Sequence, residues 1–182
     1  MRMRSYQLFI LALFTVSSSG VYGLVSHPYS LEKLWTEASI VIKARVKMSS
    51  VLREGQRNFT RYQLDTSEIY QVKGQYSRLQ IQTAEINAHL PGGEKDGLSQ
   101  VVLGVPRMEK SKEYILFLRC PSIDRCVPLG YGQGVWAFDE ETKGWRALDH
   151  TLVPTSLTLA QLVESKPLSG SQPHSPQVEA RP

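Results

Sequence analysis

Residues 90–118, LPGGEKDGLSQVVLGVPRMEKSKEYILFL, decide how the rest of the chain is read. Tyr114 to Leu118 is apolar at every position, so neither face of this segment suits water. That pattern predicts a central strand covered on both sides. Val101 to Val105 predicts a short strand, ended by Pro106 because proline disfavours continuation and lacks an N–H. Arg107 to Lys112 predicts a polar turn. Ala84 to Gln100 predicts a long loop holding His89, Pro91, Gly92, Gly93, Glu94, Asp96 and Gly97. Its polar side chains follow neither the EF-hand nor a zinc spacing. The glycines are read as turn positions that need positive φ.

Upstream, Ser30 predicts an N-cap for a helix, SLEKLWTEA, with Leu31, Leu34 and Trp35 on one face. Ser39 to Met48 alternates Ile40, Ile42, Ala44, Val46 and Met48 with a largely basic face, the pattern of a half-buried strand. The basic row reads as a solvated face rather than an anion site. Ser49 to Asn58 reads as a loop. Phe59 to Val72 reads as a long strand whose alternation breaks at Glu68, which predicts a bulge or bend. After the Lys73-Gly74 turn, Leu79, Ile81 and Thr83 predict a third strand.

Downstream, Cys120 and Cys126 are the only cysteines. In an exported chain a close, even pair predicts a disulfide. Closing that loop contributes roughly 2 to 2.5 kcal/mol by chain entropy. Gly130, Gly132 and Gly134 stand at alternate positions and predict a close approach to a strand or a ligand. Val135 to Phe138 and Gly144 to Leu148 predict two further strands. Ser156 predicts the cap of a closing helix, LTLAQLVES. From Lys166 the composition turns to proline, serine and glutamine, which predicts a disordered tail over 166–182.

The N-terminus reads as a signal peptide over residues 1–23. Arg2 and Arg4 precede an apolar run from Leu8 to Val16, a helix-breaking Ser-Ser-Ser-Gly, and a small residue, Gly23, at the expected cut (Gly20 is the alternative). The run is too short to span a bilayer, which takes about 20 apolar residues. Cleavage would leave no membrane anchor and a periplasmic or secreted product. The formal charge of +4 falls to +2 without Arg2 and Arg4, and the remaining basic residues are scattered, so nucleic acid is not an expected partner.

Enzymatic chemistry finds little support. The histidines are His27, His89, His150 and His174, and none sits in a nucleophile signature. Neither a metal nor another cofactor is expected. Carboxylates at Glu94 and Asp96 leave a hydrolase as one alternative. Asn58-Phe59-Thr60 matches a glycosylation sequon, a short pattern that matters only in a eukaryotic secretory route.

The helix SLEKLWTEA, the strand SIVIKARV, the long strand ending in VKG, the loop PGGEKDGLSQ, GVP, EYILFL and GYGQGVWAF together resemble a family of small exported bacterial proteins of unestablished activity. The likeness covers about residues 30–138. Ser39 and Ala44 depart from that family's acidic residue and glycine, and Lys110-Ser111-Lys112 from its glycine turn. The layout is also similar to netrin-like and metalloprotease-inhibitor barrels, which are five-stranded oligonucleotide/oligosaccharide-binding (OB) folds. Such inhibitors reach a catalytic zinc with an N-terminal cysteine, which this chain lacks near its mature N-terminus.

The resemblance and the strand pattern together imply one mainly β domain over residues 27–165: a partly open, five- to seven-stranded antiparallel OB-like barrel with short terminal helices. The function expected is a non-enzymatic binding module for an exported protein partner, with inhibition of an exported protease as an alternative. Its contact surface would join Gly92, Gly93, Glu94 and Gln100 to Tyr131, Gln133 and Trp136, because loops on a rigid scaffold commonly carry function.

Overall fold

The computed structural model describes residues 28–149 and 156–167. The segment 1–23 read as a signal peptide, the tail beyond Pro167, His27, His150 and His174 lie outside the described residues.

The fold begins with helix α1 (Leu31–Glu37), capped by the Ser30 hydroxyl, which accepts a hydrogen bond from the Lys33 N–H at 3.1 Å. Strands β1 (Ile40–Glu54) and β2 (Arg57–Val72) then form one long antiparallel hairpin. The stretch 49–58, expected as a loop, is mostly strand. Only Gly55 and Gln56 turn the chain, and Gly55 supplies a φ of +61°. Arg53, Glu54, Gln56 and Arg57, which suggested a loop, are exposed at the end of the ribbon, while Asn58 is buried. β2 carries extra residues at Tyr70 and Ser67, on either side of Glu68, and β1 carries one at Lys47. The bend expected at Glu68 is therefore a pair of bulges, and such bulges curve a ribbon into a barrel wall.

Residues 78–83, expected as a strand, form helix α2 (Arg78–Thr83). A capping box decides the matter: Ser77 Oγ accepts from the Gln80 N–H while Gln80 Oε1 accepts from the Ser77 N–H. Only Ile81 is buried and Leu79 faces out, so the apparent alternation was coincidental. Strand β3 (Ile86–Pro91) follows inside the expected loop, pointing Ile86, Ala88 and Leu90 into the barrel. The small hairpin β4 (Gly93–Lys95) and β5 (Leu98–Gln100) comes next. Val101 to Val105 is not a strand. It turns between Val102 and Val105 with Gly104 at φ +76°, and no neighbouring strand offers it a partner.

Strand β6 (Glu113–Ser122) is central, as expected, with β1 along one edge and β7 (Arg125–Pro128) and β8 (Val135–Asp139) along the other. β9 (Gly144–Ala147) pairs with β8. The closing helix α3 (Leu159–Glu164) is capped by Thr158 rather than Ser156, because Leu157 is held in a bridge to Trp145. Cys120 and Cys126 form the expected disulfide.

The order β1-β2-β3-β7-β6 returns to β1, so five strands come round on themselves. The β3–β7 seam is a single parallel bridge between Ala88 and Cys126. The sheet is therefore mixed rather than purely antiparallel, and barrel-like without being closed. Two cores divide the apolar residues. Ile40, Ile42, Ala44, Tyr114, Leu116 and Leu118 face into the barrel. Val41, Ile115 and Phe117 face outward beneath α1, α3 and β9, where Trp35, Trp136, Trp145 and Leu162 cover them. This explains why both faces of β6 are apolar.

Candidate functional site

A cleft of about 360 Å³ opens at one end of the barrel, between the far half of the β1–β2 hairpin and the segment from Gln100 to Met108. Ser49 and Val51 of β1 and Thr60 and Tyr62 of β2 form one wall. Gly92, Gly93 and Glu94 form the floor with Leu90, and Val102, Val105 and Arg107 complete the other side.

Backbone without side chains shapes the floor. A β-carbon on Gly93 would lie 2.7 Å from Thr60 Oγ1 and 2.9 Å from a Val51 methyl. One on Gly92 would lie 2.9 Å from the Gln100 carbonyl oxygen. Both glycines hold positive φ, so the β4–β5 hairpin can fold flat onto the ribbon only with glycine there. Thr60 Oγ1 donates to the Gly92 carbonyl at 2.9 Å.

Asn58 locks the same hairpin. Its side chain is buried, and Nδ2 donates to the carbonyls of Gly93 at 3.1 Å and Leu98 at 3.0 Å. Its backbone N–H donates to Gln100 Oε1 at 2.8 Å. A glycan cannot be carried on an amide committed in this way, so the sequon is a structural feature of the folded domain. The sequence contained this signal as an asparagine beside a strand start, but nothing local says which backbone it bonds.

Two tyrosines hold the opposite wall. Tyr62 and Tyr114 rise from the barrel interior, and their hydroxyls accept the N–H groups of Met108 at 3.4 Å and Glu109 at 2.8 Å. Burial pushes both phenols above their ordinary value. The hydrogen bond from Met108 and the Arg107 charge pull Tyr62 partly back. Tyr62 and Arg107 belong to the site and were not anticipated, because only the curl of the sheet brings β2 beneath the segment that carries Arg107.

The expected contact residues divide into two places. Gly92, Gly93, Glu94 and Gln100 meet at the cleft. Tyr131, Gln133 and Trp136 do not line it. Trp136 is fully buried, 6.4 Å from the Phe117 ring, and its indole N–H donates to the Gln133 carbonyl at 2.8 Å. Gln133 is also fully buried, and its Oε1 accepts the Tyr29 N–H at 2.7 Å. Tyr131 packs against the barrel core. The alternate glycines there approach neighbouring backbone rather than a ligand: Gly132 N–H donates to the Gly104 carbonyl, and Gly134 lies against Leu129. That segment is packing, so Trp136 and Gln133 offer a partner no surface.

A broader groove of about 810 Å³ runs beside β8 and β9. Its cations Lys43, Lys112 and Arg146 face the acids Glu113, Asp139 and Glu140, with Arg146–Asp139 at 3.5 Å and Lys43–Glu113 at 3.8 Å. The groove balances its own charge. Among the described residues, no group of three or more His, Cys, Asp or Glu is placed to hold a metal ion, and no helix is long and apolar enough to cross a membrane. Glu94 and Asp96 both lie exposed on the β4–β5 hairpin.

No protein-family model matches this chain, and no curated protein matches it as a relative.

Proposed function

We propose that this protein is an exported, non-enzymatic binding module whose contact surface for a partner protein is the cleft at the end of the barrel. One observation carries the reading: four of the expected contact residues, Gly92, Gly93, Glu94 and Gln100, line one concave site whose floor is glycine backbone. Its walls mix aliphatic side chains with an amide, hydroxyls and a guanidinium, the combination by which binding sites gain both burial and orientation. The basic and apolar N-terminal segment and the disulfide support export.

The test is affinity capture by the chain from Leu24 to Pro182, beside a Val102→Arg variant that fills the cleft from an exposed segment. A protein recovered by the parent and lost by a variant of equal thermal stability supports the site. Equal recovery by both overturns it. Identification of that protein as a protease would make the module an inhibitor.

A further inference from the structure

The cleft end of the molecule is electrically distinct from the rest. Segments 47–61 and 93–112 together hold eight Lys or Arg against four Asp or Glu, whereas the remainder of 28–166 holds ten against twelve. Most of these cations are unopposed. Lys47, Arg53, Arg57, Lys95, Arg107 and Lys110 form no ion pair among the described residues. Apolar side chains rise among them: Val101 is 82% and Leu103 72% exposed, with Leu98 and Met48 about half exposed. Exposed aliphatics gathered at one rim mark an interaction surface more often than scattered ones do.

The same end has an open strand edge. β1 pairs with β6 only from Ile40 to Arg45, and the last backbone bonds on that side join Val46 to Lys112 and Ser111. Beyond them β1 continues to Glu54 with β2 on its other edge alone. Natural edges are blunted by charge, yet Met48-Ser49-Ser50-Val51-Leu52 is uncharged, with Lys47 and Arg53 just outside it. Ser49 and Val51 of that run line the cleft.

Resting on the cleft as the contact surface, we infer that its occupant is an extended acidic segment of a partner polypeptide, added as a strand to the β1 edge from Met48 to Leu52. Backbone hydrogen bonds to the edge supply affinity without regard to sequence, and alternate side chains supply selectivity. Side chains on one face of the added strand enter the cleft against Val51, Val102 and Val105, and so are aliphatic. Those on the other face share it with Lys47 and with Arg61, which stands beside Ser50 on β2, and so are acidic. The edge accommodates five or six residues, about 17 Å of strand. A lipid surface would use the Val101 and Leu103 rim and the cations, but would leave the edge and the concave floor unused.

The test pans a library of random twelve-residue displayed peptides on the Leu24–Pro182 chain, then titrates the most enriched peptide into isotope-labelled protein. Support takes the form of alternating acidic–aliphatic peptides that shift the amides of 48–54 and 100–108. Methylation of alternate peptide backbone nitrogens should weaken them at least tenfold. Raising salt from 0.05 to 0.5 M should weaken them at least fivefold, because screening then acts within about 4 Å. Neutral or basic peptides that shift the same amides overturn this inference and leave the cleft as contact surface. Peptides that shift only other regions overturn both. Failure to select any peptide, together with sedimentation on phosphatidylglycerol vesicles that Val101→Asp and Leu103→Asp abolish, overturns the strand inference and assigns the rim to a lipid surface.

Discussion

Replacing Asn58 tests whether the candidate site is held by the bonds described. Asn58→Ala removes the donors to the carbonyls of Gly93 and Leu98. Each neutral bond is worth about 0.5–1.5 kcal/mol, so the loss should be roughly 1–3 kcal/mol. Asn58→Asp keeps size and shape but puts carboxylate oxygens where two carbonyl oxygens stand 3.0 and 3.1 Å from the present nitrogen. At pH 7 it should be less stable than the alanine variant. The new carboxyl titrates above its ordinary value in the folded state, since folding favours its protonated, donating form. Its deficit relative to Asn58→Ala should therefore shrink as the pH falls through that raised value. Urea unfolding gives the ranking. Amide exchange across Glu94–Gln100 shows whether the β4–β5 hairpin opens by itself, in which case the global loss is capped by the free energy of docking it. If the aspartate variant equals the alanine variant at neutral pH and exchange across 94–100 is unchanged, Asn58 does not hold the site together.

Three other perturbations reach different parts of the fold. Trp35 is fully buried, edge-on to Phe117 at 5.0 Å, and its indole N–H donates to the Leu162 carbonyl and Ser165 hydroxyl. Trp35→Ala should cost about 3–5 kcal/mol in urea unfolding, and Trp35→Phe roughly 1–2 kcal/mol with exchange in α3 accelerated. His89 is buried beside Arg61 and Arg125 and bonded to the Asp124 carbonyl, and burial chiefly holds its imidazole below the ordinary histidine value. The unfolded chain then binds more protons near pH 6, so stability present above about pH 6.5 is lost as pH falls through the depressed folded value; His89→Gln should flatten urea midpoints between pH 7 and 5.5. Ser111 holds φ at +66° while its N–H donates to the Val46 carbonyl. Ser111→Gly should raise the thermal midpoint, by the equivalent of up to about 1 kcal/mol, because left-handed backbone costs an L-residue about 1–2 kcal/mol and glycine's greater unfolded freedom offsets part of that.

The sequence was most readable where side-chain period and burial agree. The apolar run at Tyr114–Leu118 announced a strand covered on both faces, Ser30 announced the cap of α1, and the paired cysteines announced their bond. Legibility failed where two local signals competed. Leu79-Gln80-Ile81 alternates like a strand, but the Ser77–Gln80 capping box is the stronger instruction. Ile86, Ala88 and Leu90 alternate correctly, yet the neighbouring glycines hid them in a supposed loop. The site was half legible: Gly92, Gly93, Glu94 and Gln100 fall within one nine-residue stretch and line one cleft. Tyr62 and Arg107 meet only because the barrel brings β2 beneath the 100–108 segment. Trp136 and Gln133 looked available because glycines surround them, and those glycines exist to admit backbone.

The pairing of β1 with β6 also fixes a timetable. Ile40 lies opposite Leu118, a partner 78 residues later in the chain. At about 5–20 residues per second, synthesis leaves β1 waiting roughly 4–16 s before that partner exists. The β1–β2 hairpin can form early, since its two strands are adjacent, but its aliphatic face then has nothing to cover it. Long-range closure of this kind makes folding slow, because loop entropy is spent before the contacts that repay it form. A hairpin formed during synthesis would thus expose Ile40, Ile42 and Ala44, and a holdase that shields them should raise folding yield without touching the finished protein.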